Sequence, residues 1–120
     1  MILTGKALKD FEIWLFKFHA PFASNKDQLY NDQRAKTLLY ALILEWLDEV
    51  RIYINIYSDF GVFGLEIKDS GNVLLYDHGF GGATRQIAMS NGIYVSNEIY
   101  NSSTRDYMAQ YKPWIPPDEI

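Results

Sequence analysis

The chain has 120 residues, 48% hydrophobic and 16% aromatic, with no cysteine and a formal net charge of −4. That length suits one domain with a core that needs no covalent staple. The lack of thiols excludes disulfides, thiolate nucleophiles and Cys-bound zinc, and the acidic balance argues against a general nucleic-acid binder, which shows a basic face to phosphates.

The first helix is expected from about Gly5 to Phe18, with Thr4 as its cap. Leu8, Phe11, Leu15 and Phe18 follow helical spacing, and Trp14 widens the stripe. Pro21 closes the segment, so residues 19 to 27 read as a loop. A second helix is expected from about Gln28 to Glu49. It carries Ala35, Leu38, Leu39, Leu42, Ile43, Trp46, Leu47 and Val50 on one broad apolar face. Lys6, Lys9, Asp10, Glu12 and Lys17 interrupt the first segment, and Glu45 interrupts the run from Leu38 to Leu47. Neither makes a signal-peptide core or a membrane span, and a cytoplasmic location is expected. The glycosylation pattern at Asn101 carries no weight in that setting.

The apolar period then changes. In Val50–Tyr57 the residues Val50, Ile52, Ile54 and Ile56 alternate with Arg51, Tyr53, Asn55 and Tyr57, which predicts a strand buried on one face. A second strand puts Phe63, Leu65 and Ile67 inward and Glu66 and Lys68 outward. The turn Asp69-Ser70-Gly71-Asn72 leads to a third strand over Val73–Tyr76. Residues Thr84 to Asn101 read as a helix with Ala88, Val95 and Ile99 on one face, although Gly92 weakens it by about 1 kcal/mol relative to alanine. The expected fold is α+β, in the order α-α-β-β-β-α. A three-stranded antiparallel meander carries helices on one face, in a single domain over residues 1–101, followed by a tail over 102–120 that packs back or stays exposed.

Three segments, Leu3–Leu15 ("LTGKALKDFEIWL"), Trp46–Ile56 ("WLDEVRIYINI") and Thr84–Asn101 ("TRQIAMSNGIYVSNEIYN"), resemble a loose group of small proteins encoded by bacteriophages and mobile elements. The resemblance covers most of residues 2 to 101 and departs at the tail and at Gly92. It implies a setting, that of an accessory protein binding host or defence proteins, and no functional residue.

The segment "YDHGFGGATRQ" (Tyr76–Gln86) has the order strand, glycine loop, helix start. It fits neither the P-loop pattern, for want of a lysine, nor the dinucleotide fingerprint, because Thr84 stands at the last glycine position. Two readings remain. The glycines supply positive φ in a connection, or Gly81, Gly82, Thr84 and Arg85 hold an anion at a helix start. His78 beside Asp77, and His19 at the end of the first helix, have no motif that makes them catalytic or metal-binding. Glu45, Asp48 and Glu49, together with Asp59, Glu66 and Asp69, are expected either as a solvated surface or as an acidic patch for a basic protein groove. Tyr53 and Tyr57, opposite the isoleucines, and Tyr111 and Trp114 in the tail are the aromatic candidates for an interface.

The expectation is a non-enzymatic module that needs no cofactor or metal and binds a protein with a basic surface, such as a nucleic-acid-processing host-defence complex. Direct nucleic-acid or membrane binding is not expected. The alternatives are a small anionic ligand or nucleotide held by Gly79–Arg85, and a homodimer formed through sheet faces or edges.

Overall fold

A computed structural model describes residues 1–108, apart from the side chain of Asp59. The long elements follow the expected order: α1 (Gly5–Phe18), α4 (Lys36–Glu49), β1 (Ile52–Asp59), β2 (Val62–Asp69), β3 (Leu74–Gly82) and α5 (Arg85–Ser102). Between α1 and α4 the chain is more ordered than a loop. Residues 19 to 27 wind into α2 (Ala20–Ser24) and the start of α3 (Lys26–Asn31). Pro21 sits in the first turn of α2, where a helix has no use for its missing N–H. The helix expected from Gln28 is broken at Asp32, whose backbone is extended and whose Oδ1 accepts the Arg34 N–H at 2.9 Å. A short aspartate competes in this way with the helical ladder, and the chain restarts through a 3-10 turn into α4.

The core lies between these helices and one face of the sheet. α1 buries Ala7, Phe11, Trp14 and Leu15, and α4 buries Leu39, Leu42, Ile43, Trp46 and Leu47. Phe18 and Leu38, expected within those stripes, are exposed. Phe11 meets Trp14 at 5.9 Å and Trp46 at 5.8 Å between ring centroids, and Trp46 meets Tyr100 at 5.0 Å. These offset and edge-on pairs add to the area they bury.

α5 buries Ala88 as expected, but the rest of its buried face is rotated from the one expected. Val95 and Ile99 are only half-buried, while Ala88, Gly92, Ile93, Ser96, Asn97 and Tyr100 are buried. Ala88, Gly92 and Ser96 recur every fourth residue, so small side chains form the ridge that meets the strands. A Cβ on Gly92 would stand 2.9 Å from Ile54 Cγ2 and 3.0 Å from Leu65 Cδ1. Gly92 therefore sets the helix-to-sheet distance.

Thr4 does not cap α1 with its own side chain. The cap comes from α5: Asn97 Oδ1 accepts the Thr4 N–H at 2.9 Å, and Asn101 Oδ1 accepts the Ala7 N–H at 2.8 Å. The amides of both asparagines return to Thr4. Asn97 Nδ2 donates to Oγ1 at 3.0 Å and Asn101 Nδ2 to the carbonyl at 2.9 Å.

The sheet is an antiparallel meander in the order β1-β2-β3. β1 and β2 pair without interruption from Ile52↔Asp69 to Asp59↔Val62. Ile52, Leu65 and Ile67 are fully buried beneath α5 and α4, as the alternation predicts. β3 runs well past Tyr76, to Gly82, and its pairing with β2 shifts register twice.

Candidate protein-binding face

Helices cover one side of the sheet, and Tyr53, Asn55, Tyr57, Glu66, Lys68 and Asp77 share the other, as the register Tyr53↔Lys68, Asn55↔Glu66↔Asp77 shows. Polar contacts join these residues in two groups. Tyr57 lies across Gly64, where a Cβ would collide with the phenol ring, and its hydroxyl donates to Asp77 Oδ1 at 3.1 Å. Glycine at position 64 thus lets a β1 tyrosine reach across β2 to β3. Asn55 Nδ2 donates to Glu66 Oε1 at 3.1 Å, and Lys68 Nζ stands 3.7 Å from the same oxygen. Tyr53 is exposed at 42%. Exposed and hydrogen-bonded tyrosines are among the side chains that protein interfaces favour, with the charged groups suited to a rim.

The β1–β2 turn adds a residue that the sequence reading passed over. Phe60 and Gly61 form a two-residue loop with φ of 49° and 82°, the mirror-image turn that asparagine or glycine normally occupies. Phe60 has no burial to offset that conformation, being fully exposed at 102%. The signal was present in the sequence: two residues between two alternating strands, with phenylalanine where asparagine is favoured.

The six carboxylates do not gather into one patch. The register puts Asp69 beside Ile52 at the α4 end of the sheet, Asp59 beside Val62 at the opposite end, and Glu66 between them on the outer face. Asp69 is also occupied in its turn, where Oδ1 accepts the N–H groups of Gly71 and Val73 at 2.9 and 3.0 Å. Glu45 faces His19, Nε2 to Oε1 at 3.3 Å. Asp48 and Glu49 remain at the surface, and partial burial followed by the Glu49 charge raises the pKa of Asp48.

The glycine segment is strand rather than loop. Among described glycines only Gly5 and Gly61 have positive φ, so the backbone-freedom reading of Gly79, Gly81 and Gly82 fails. Two of the three allow close approach instead. A Cβ on Gly81 would lie 2.7 Å from Leu65 Cβ, and one on Gly82 would lie 2.6 Å from the Ala88 amide nitrogen. Thr84 does cap α5, with Oγ1 accepting the Ile87 N–H at 3.1 Å. The Arg85 guanidinium lies over the Phe63 ring at 5.0 Å. The residues proposed to hold an anion are thus adjacent, with one helix-start amide already engaged.

His78 Nδ1 accepts the Phe80 N–H at 3.1 Å within the bulged part of β3. His19 packs its ring against Trp14 at 5.1 Å and Phe22 at 6.1 Å. No group of three metal-ligating side chains occurs among the described residues, and none of the described helices is long and apolar enough to cross a membrane. Tyr111 and Trp114 lie outside the described residues. The part of the tail within them packs on the helical side: Tyr107 stacks on Tyr100 at 4.5 Å, Met108 is buried, and Lys6 Nζ donates to the Arg105 carbonyl at 2.7 Å.

No family model, curated protein or solved structure matches the chain.

Proposed function

We propose that this protein is a non-enzymatic binding module of a phage or mobile element that docks its open sheet face and the β1–β2 hairpin tip on a host protein, in the setting of a defence complex. The observation that carries the reading is Phe60, fully exposed at a positive φ that a bulky residue adopts only at a cost. Strain without burial is an arrangement that folding alone does not reward, whereas an aromatic at a hairpin tip inserts readily into a partner's pocket. Tyr53 and the Tyr57–Asp77 pair supply the flatter contact behind it, and Glu66 adds negative charge for a partner with a basic rim.

Immobilised protein is expected to capture one partner whose binding is weakened at least about tenfold by Phe60→Ala and by Tyr53→Ala, the size of effect typical of interface hot spots. Charge reversal at Asp48 and Glu49 asks whether the α4 end belongs to the same surface. If both aromatic variants capture the partner as well as the unaltered chain does, the surface has been misassigned.

A further inference from the structure

We propose that β1 is the contact strand of a two-fold dimer, pairing antiparallel with β1 of a second copy about Asn55. The inference is independent of the host partner.

The two edges of the sheet differ. β3 is bulged in two places, with the register shifting between Phe63 and Leu65 and again between Ile67 and Lys68. Bulges of this kind bend an edge away from further pairing. β1 is regular over all eight residues, pairs with β2 on one side and, among the described residues, with no strand on the other. It contains no proline, lysine or glycine to blunt it. Ile54 and Ile56, on its inner face, are only half-buried, whereas Ile52 is fully buried.

The sequence of this edge reads the same in both directions. Tyr53-Ile54-Asn55-Ile56-Tyr57 is a palindrome centred on Asn55. In an antiparallel pair related by a two-fold axis through Asn55, Ile54 faces Ile56 of the second copy, Tyr53 faces Tyr57, and Asn55 faces itself. Ile54 and Ile56 then meet on the covered face, flanked by Ile52 against Ser58, and the tyrosines meet on the open face.

The hydrogen-bond phase agrees. A two-residue hairpin makes Asp59 and Val62 a pair that exchanges ladder bonds, so every second residue back from Asp59 points its N–H and C=O groups at β2. That uses Asp59, Tyr57, Asn55 and Tyr53. The backbone groups of Ile52, Ile54, Ile56 and Ser58 point outward, and the palindromic register sets Ile54 against Ile56 and Ile52 against Ser58. The dimer would be a continuous six-stranded sheet, a closed isologous contact that cannot propagate into fibres through β1.

The test is sedimentation of the full chain alongside Asn55→Lys, with single-cysteine variants in a chain that has no cysteine of its own. The unaltered protein is expected at twice 13.9 kDa. Asn55→Lys, which sets two lysines face to face on the axis while leaving Glu66 a partner, is expected at the monomer mass with an unchanged circular dichroism spectrum. Asn55→Cys is expected to oxidise rapidly to a covalent dimer, because facing Cα atoms about 4.5–5.5 Å apart suit a disulfide. Ser58→Cys, about 20 Å from its own copy in this register, is expected not to. A monomeric unaltered chain overturns the proposal. So does a dimer that survives Asn55→Lys, or equal crosslinking of the two cysteine variants.

Discussion

Phe60 is held at φ 49° with nothing packed around it. For an L-residue that conformation costs on the order of 1 kcal/mol, and asparagine followed by glycine tolerates it best. Phe60→Asn is therefore expected to raise unfolding stability by about 1 kcal/mol, read from the shift in urea midpoint at constant slope. The same substitution is expected to abolish partner capture. A gain in stability together with a loss of binding is what separates a binding residue from an awkward turn. If Phe60→Asn leaves both unchanged, neither the strain nor the contact is real.

Among the elements, α1 and α5 depend on each other through three side chains. Asn97 is buried and holds Thr4 by two hydrogen bonds. Asn97→Ala is expected to cost about 2–3 kcal/mol, because it removes both hydrogen bonds to Thr4 at once and empties the space that the buried amide fills. Thr4→Ala, which keeps the backbone bond to Asn97 Oδ1, is expected to cost less, near 1 kcal/mol. Equal losses in thermal melts of the two variants would remove the long-range cap from the account. Gly82→Ala is expected to destabilise by about 1–3 kcal/mol, since the added methyl meets a backbone nitrogen of α5. Gly71→Ala, whose added Cβ makes only ordinary contacts, serves as its control in the same melts.

The elements were largely legible in sequence because period carries them. The isoleucines of β1 alternate and the leucines of α4 recur at three and four, so the α+β order and the meander followed. What escaped were features decided by distant partners. Thr4 reads as a cap by its neighbours, yet the groups that complete it are more than ninety residues away. Gly92 reads as a helix weakness because Ile54 and Leu65, which need its missing side chain, belong to other elements. Gly79–Gly82 reads as a loop because bulged strand and glycine loop share one composition. At the open face, Tyr53 and Tyr57 were found by alternation. The Tyr57–Asp77 link needed the register, which sequence alone leaves unspecified, whereas the two-residue spacing around Phe60 and Gly61 was there to be seen.

For the molecule as a whole, Tyr100 is the point where α1, α4, α5 and the start of the tail converge. Its hydroxyl donates to Asp10 Oδ2 at 2.6 Å, its ring stacks on Tyr107, and Lys6 Nζ lies 5.4 Å from the ring centroid. Burial, and then the Asp10 carboxylate, raise the Tyr100 pKa well above that of a free phenol, and burial with Glu12 does the same for Tyr30. The sign follows from linkage. A raised folded-state pKa contributes stability that is complete below the unfolded value, near pH 10, and is lost as pH climbs beyond it. Stability is thus expected to be level through neutrality in so far as these two phenols govern it, and to fall above about pH 10. Tyr100→Phe is expected to cost about 1 kcal/mol at pH 7 and to flatten part of the alkaline fall. An unaltered alkaline slope in denaturant titrations of Tyr100→Phe would place the titrating group elsewhere.

The asparagine clamp also sets an order in time. A chain is synthesised from its N-terminus, so α1 emerges well before α5. The side chains that satisfy its opening amides belong to residues 97 and 101. Until those residues are made, the α1 start has only water to bind, and the Phe11–Trp46–Tyr100 cluster lacks its last ring. A nascent chain stopped before α5 therefore holds exposed aromatics and an open sheet at once, the condition in which partly made proteins aggregate or recruit chaperones. The core closes only when α5 arrives.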